Sequence, residues 1–260
     1  MMMNFRASKA GFKQAFIDFI TDPQWIIPSL IAPFIFTIVA LMIFNDVSGP
    51  VVLHAVLGGG VLGMWGNTLY SSGWSISYDR YNGTLEPLMI SPTRMIDVIA
   101  GRAVWHTIIG LSNALLVFVV AEFMFDAPIA LQNPLLFFAI LVLTLFSLAT
   151  IGLIFSAFFV LTRASSVLMS SLEFPIYVVS GAMFPISLLP DWVGYISKSL
   201  APSWGVEALR SVAFDGYVES IFVTNVGMMM ILNIFYLVIA TGLFYVIEKN
   251  IRRHGTIGRI

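Results

Sequence analysis

Residues 79–92 read DRYNGTLEPLMISP. The stretch is short, polar and charged. It separates two long apolar runs, 47–78 and 103–121, neither of which carries a charged residue. Runs of that length read as membrane crossings, so the segment between them reads as a loop in water. Within it, Asn82-Gly83-Thr84 favours a turn and then a helix start. Residues 85–90 leave room for only a short helix. Ser91-Pro92 is expected to restart the chain, with serine capping the next helix and proline in its first position. The product is a short helix between two stiff joints. Tyr78, Asp79, Arg80, Tyr81 and Glu86 give it the charged and aromatic anchors that interfaces use. The plainer alternative is an ordinary solvated loop. Asn82-Gly83-Thr84 also matches the glycosylation pattern, which has no meaning on a cytoplasmic loop.

The surrounding chain has 260 residues, of which 58% are hydrophobic and 10% charged. Soluble domains are about 25% charged, so this composition places the chain in a bilayer. A net charge of −1 argues against nucleic acid as a partner. With no cysteine there are no disulfides, thiolate metal sites or cysteine nucleophiles. No cleavable signal peptide is visible, because Arg6, Lys9, Lys13, Asp18 and Asp22 interrupt the first 22 residues.

Working outward from the loop, the uncharged stretches between successive charges number 23 residues (23–45), 32 (47–78), 19 (103–121), 36 (127–162), 17 (174–190) and 28 (220–247). A helix needs about 20 residues to cross the hydrocarbon. The fifth stretch reaches that length if its helix starts near Ser166 and carries Glu173. The expectation is an all-α membrane protein with six spans: 25–44, 52–77, 99–123, 134–160, 166–187 and 222–247. They form a single transmembrane domain over 1–260. In residues 1–21, Phe5, Phe12, Phe16, Phe19 and Ile20 recur at spacings of three, four or seven, with Lys9, Lys13 and Asp18 mostly between them. That pattern predicts an amphipathic helix lying in the membrane interface, the alternative being packing on soluble protein.

Placing the first residues in the cytoplasm puts eleven of the thirteen Lys and Arg inside and leaves only Lys198 and Arg210 outside. The positive-inside rule then sets both ends of the chain in the cytoplasm. The outer loops 45–51 and 125–133 are short. Residues 188–221 are long and structured. Pro190-Asp191 opens one segment carrying Trp192, Val193, Ile196 and Leu200. Pro202 opens a second carrying Trp204, Val206, Leu209, Val212 and Ala213. Two short amphipathic helices are expected, re-entering the outer leaflet as an elbow with Trp192, Tyr195 and Trp204 at headgroup depth. A small external cap is the alternative.

No motif for nucleotide chemistry is present. Lys198-Ser199 follows Gly194 but has Ser197 where a phosphate-binding loop needs glycine. Gly58-Gly59-Gly60 lies in a span without a lysine nearby and reads as close helix packing, as does the Gly59/Gly63 pair. The ionisable groups in or near spans are His54, His106, Glu122 and Glu173. The first three fall near span ends and read as structural. Glu173, just before Pro175, either caps freed backbone or lines a pathway. No Asp/His/Glu cluster has metal-ligand spacing, and no Ser/His/Asp arrangement is suggested.

Gly83-Thr84-Leu85-Glu86, followed by Leu88 and Ser91-Pro92 and preceded by charges, resembles the inner loop of the permease subunits of type-2 ATP-binding-cassette (ABC) exporters. Val179-Ser180-Gly181-Ala182-Met183-Phe184-Pro185, with Leu189-Pro190 and Leu200-Ala201-Pro202, resembles that family's fifth span and elbow. The likeness covers nearly the whole chain. Tyr81-Asn82 and Pro87 depart from the family pattern. The resemblance implies a coupling helix formed by Gly83, Thr84, Leu85, Glu86, Leu88 and Met89, with Asp79 and Arg80 beside it, seated in an ATP-binding subunit. It implies two such subunits holding ATP and Mg, and a second permease copy in a homodimer or heterodimer. This chain itself would be no enzyme and would hold no cofactor. The substrate would pass between the two permease copies, against the first, second and fifth spans, and Glu173, Pro175, Gly181, Phe184 and Pro185 are candidates for either a pathway or a structural role. Its 22 Phe and 13 Met fit a lipophilic drug, a lipid or a lipid-linked glycan, but lipid-facing surface needs the same residues. Two alternatives stand beside an exporter: an ion-coupled secondary transporter, and a membrane sensor or assembly subunit without transport.

Overall fold

The computed structural model describes residues 4–21, 49–69, 75–125, 133–162, 165–182, 189–213 and 219–254, and the separate positions 26–27, 31, 34–35, 38–39, 42, 131 and 186. The regular elements are ten helices among the described residues. They are α1 (Phe5–Thr21), α2 (Gly49–Leu69), α3 (Ser75–Tyr81), α4 (Leu85–Ile90) and α5 (Met95–Phe125), then α6 (Pro134–Leu161), α7 (Ser165–Val179), α8 (Asp191–Lys198), α9 (Ala201–Ala213) and α10 (Glu219–His254). Among the described residues, three helices are long and apolar enough to cross a membrane: Met95–Phe123, Pro134–Leu161 and Glu219–Arg253. They coincide with the expected third, fourth and sixth spans. The expected first span, 25–44, lies mostly outside the described residues.

Within the second expected span, 52–77, α2 covers residues to Leu69 and α3 begins at Ser75, while 70–74 lie outside the described residues. One expected span differs in extent. The fifth, 166–187, stops at Val179. The cause is Gly181, whose φ of 75° turns the chain left-handed, as glycine does just past a helix end. The N–H of Ser180 donates to Ile176 O at 2.8 Å and closes the last turn. Phe184 and Pro185 lie outside the described residues.

The helices surround α6, which is apolar on every side and mostly buried, as a central helix must be. Two cores stack along it. One gathers Trp65 and Met64 of α2, Leu141, Leu145 and Leu148 of α6, Val206 and Leu209 of α9, and Met229 of α10. The other gathers Leu85 and Met89 of α4, Met95 and Ile99 of α5, Phe159 of α6, and Phe244 and Ile251 of α10. Glycine lets backbones close up between them. A Cβ on Gly58 would stand 2.8 Å from Ala182 O, and one on Gly110 would stand 3.3 Å from Met64 Cα. The close packing expected of the Gly58–Gly60 run is therefore present.

Between α6 and α10, Asn233 Nδ2 donates to Ser147 Oγ at 2.9 Å, and Thr150 Oγ1 donates to Asn233 Oδ1 at 3.2 Å. These are buried polar groups satisfied by one another, the condition for carrying polarity inside an apolar bundle.

The two elbow helices open where the prolines predict: Pro190 stands at the N-cap position of α8 and Pro202 in the first turn of α9. α9 is two-sided, with Glu207 exposed. Val206, Leu209, Val212 and Ala213 are buried against α6 and α10, and Gly205 seats on the Thr144 side chain. Trp192 and Tyr195 of α8 do face outward, while Trp204 is half-buried and its Nε1 donates to Lys198 O at 2.9 Å.

Candidate functional site: the α3–α4 knob

The polar loop of the sequence folds as two short helices joined by a tight turn. Gly83 sits at φ 69°, a conformation that costs glycine little and other residues more. Thr84 N donates to Asp79 O at 2.8 Å across the turn. Thr84 is the N-cap residue of α4 by position, and its hydroxyl turns back to Asp79 Oδ1 at 3.1 Å instead of capping. Pro87 stands within the first turn of α4, where a backbone N–H has no intrahelical partner to lose.

The restart at Ser91-Pro92 is corrected. Ser91 closes α4, its N–H donating to Pro87 O, and α5 starts only at Met95. The α5 N-terminus is capped from elsewhere. Glu248 Oε1 of α10 accepts the Met95 N–H at 2.6 Å, and Arg252 donates to Ser91 O at 3.0 Å. Asp97 in the first turn of α5 accepts the Asn4 N–H at 3.2 Å, which suits a carboxylate near a helix N-terminus.

The knob has an inner and an outer face. Leu85 and Met89 are buried, each 4% exposed, and Leu88 is half-buried. Tyr81, Asn82, Gly83, Thr84, Glu86, Pro87 and Ile90 face outward, with Tyr81 90% exposed. Asp79, read from the sequence as part of an outward grip, is 2% exposed. Its Oδ2 accepts from Arg102 Nη1 at 2.6 Å. The second terminal nitrogen of Arg102 donates to Gln14 Oε1 of α1 at 2.8 Å. One guanidinium fork thus holds α1, α3 and α5 together, a geometry lysine could not reproduce. Arg80 also turns inward. It donates to Thr162 O at 2.5 Å and Val160 O at 2.8 Å, satisfying orphan carbonyls at the end of α6.

α1 joins the same end. Its Ala7, Gly11 and Ala15 seam faces α5 so closely that a Cβ on Gly11 would lie 2.1 Å from Val98 O, and one on Gly101 would lie 1.9 Å from Ser8 O. Trp105 stacks edge-on against Phe12, Phe16 and Phe19. Phe5, Ile17 and Ile20 stay exposed, the apolar face expected of an interfacial helix. Asp18 is half-buried, and burial raises its carboxyl above the ordinary range against the opposing pull of Arg102.

A family model described as "ABC-2 type transporter" matches residues 6–214. The chain belongs to the ABC-2 type transporter family. ABC transporter G family member 20 of Dictyostelium discoideum is 24% identical over 144 residues, covering 55% of this chain. The chain spans about a fifth of that relative's length, since the match covers 20% of it.

In this ABC-2 chain the remaining sequence-derived residues fall elsewhere. Gly181, at the end of α7, accepts from Arg210 at 2.7 Å. Glu173 lies in α7 two residues before Pro175, which is exposed, and the Glu173 side chain is outside the described residues. Among the described residues no group of His, Asp and Glu could hold a metal ion. The sequence reading had counted Arg102, Glu248 and Arg252 only as charges and missed Gln14. A signal existed. Met95, Val98, Ile99 and Arg102 share one buried stripe of α5, and a charge on a buried stripe needs a partner.

Proposed function

We propose that this chain is the membrane permease subunit of an ATP-driven exporter and that α4 is the helix a separate ATP-binding subunit grips. The observation that carries the reading is the two-faced knob. Its outward face is exposed, while its base is tied by directional bonds to α1, α5 and α6 and shares a core with α10. A push on that face reaches α1, α5, α6 and α10. Nine of the eleven described Lys and Arg collect at this end of the bundle, which supports a cytoplasmic position for it. Six crossings, a second permease copy, two ATP-binding subunits carrying ATP and Mg, and outward movement of a lipophilic or amphipathic substrate in the plasma membrane complete the proposal. Nucleotide binding must move a two-state gate by about 5.5 kcal/mol to swing it from 1:99 to 99:1.

Glu86→Arg reverses charge on the exposed face, and Gly83→Pro removes the left-handed turn. Both variants are expected to insert normally, to lose co-purification of the ATP-binding subunit and to lose ATP-dependent transport in vesicles. Full transport in Glu86→Arg, or transport that persists without ATP and collapses with an uncoupler, refutes the proposal.

A further inference from the structure

α6 and α10 line a groove of about 630 Å³. That volume falls within the ~300–1,000 Å³ of pockets that take small ligands. Its walls are apolar: Phe158 and Leu161 from α6, Leu243, Val246 and Ile247 from α10. Gly242 forms part of the wall, and a Cβ there would meet nothing within 4 Å among the described residues. The groove has one polar end. Asn250 lines it. Arg253, three residues on from Asn250 and seven from Val246, continues the same helical stripe and is exposed. Lys249 flanks the stripe, exposed, with its ammonium 5.8 Å from the Tyr245 ring centre.

An apolar groove whose polar lining residue, Asn250, is followed on the same helix by Arg253 and flanked by Lys249 matches one kind of molecule: an apolar tail with an anionic head. We propose that this groove holds an acyl chain of an anionic phospholipid from the adjoining leaflet, with the phosphate at Lys249, Asn250 and Arg253. Basic pockets between membrane helices recognise anionic headgroups by this combination of charge and apolar wall. The site bears on the knob, because Ile247 and Ile251 line the groove on one side and share a core with Leu85 and Met89 on the other. A bound tail would brace the wall against which α4 seats. The inference needs the chain to sit in a bilayer but does not need α4 to bind an ATP-binding subunit.

The test is native mass spectrometry of the full chain in detergent, offered phosphatidylglycerol and phosphatidylcholine of identical acyl chains. Wild type is expected to retain on the order of ten-fold more phosphatidylglycerol, the scale set by two cations near an anionic surface. Gly242→Phe, which fills the slot, is expected to lose most retained lipid of both kinds. Lys249→Ser with Arg253→Ser is expected to keep lipid but lose the headgroup preference. Equal retention of the two lipids by wild type overturns the proposal, as does unchanged retention in both variants. Glycerol phosphate without acyl chains binding as well as the lipid also overturns it. So does a Gly242→Cys variant, single in a chain without cysteine, that cross-links to a second copy at this position, because the slot would then be a protein interface.

Discussion

The end of the bundle at α4 and the end at α9 are held by opposite means. At the α4 end, charged and directional contacts dominate. Arg102 bridges Asp79 and Gln14, Arg80 caps α6, and Glu248 and Arg252 of α10 fasten the start of α5. At the α9 end, apolar burial dominates. Val206, Leu209 and Val212 fill the core, and Gly205 lets α9 close on Thr144. There the described fastening by a charged side chain is Arg210 on Gly181 O, with burial lowering the Arg210 pKa and the nearby Glu207 opposing that shift. Apolar burial is non-directional, and the angle it leaves comes from how the side chains interlock. Forked, charge-assisted bonds fix orientation at single atoms.

The comparison breaks most sharply at Arg102. Arg102→Ala leaves Asp79 buried without its partner, which is expected to cost about 3–5 kcal/mol. Thermal unfolding in detergent reads that loss. The double change Asp79→Leu with Arg102→Leu is expected to recover a large part of it, and a double variant as unstable as the single would deny the pair its role. Gly11→Leu comes next. The new side chain meets the rigid backbone of Val98, so α1 is expected to separate from α5, a local loss measured by faster proteolysis within residues 5–21 while the unfolding midpoint moves less.

Gly205→Val tests the other end. Its first obstacle is the Thr144 side chain at 2.5 Å, not backbone. The expected cost is about 1–3 kcal/mol, partly relieved by Thr144→Ala. Relief should be absent for Gly11, and that contrast sharpens the difference between the two ends.

The smallest effect concerns Asp18. Its folded carboxyl titrates above the unfolded value of 3.8 because burial favours the neutral acid. Folding is therefore favoured at acid pH by this group, and that contribution is lost as pH rises through the window just above 3.8. Asp18→Asn is expected to equal or slightly exceed wild type in unfolding midpoint at pH 7, with the gap closing toward pH 4. A lower midpoint at pH 7 would show that the charged form is the one the fold prefers.

Much of this architecture was legible because lipid constrains the chain so strongly. Uncharged runs must become helices where no water can satisfy the backbone, and 134–160 could hardly have been anything else. The Asn82-Gly83-Thr84 turn was readable because glycine at a left-handed position leaves a local signature. The turn at Gly181 was harder to read, since an apolar run continues past it and hides the stop. Composition marked Tyr81 and Glu86 as outward anchors, and both are exposed, but Leu85 and Met89, counted with the gripped residues, are buried, and which of the knob's charges face in was not legible. Asp79 and Arg80 look equally hydrophilic as letters. Their destinations depend on Arg102, 23 residues away, and on the carbonyls at the end of α6, about 80 residues away.

The order of residues thus determined that the chain lives in a bilayer, that its elements are helical, where a short polar helix interrupts them and which end gathers positive charge. Those are consequences of local composition, of solvation and of backbone satisfaction, and each can be evaluated over a few turns. Tertiary structure decided which polar groups meet, that α9 lays its apolar side on α6 and α10, and that α1, α3 and α5 share one guanidinium. Such pairings depend on how helices cross, and crossings are set by packing of side chains distant in sequence, which no window of the chain contains.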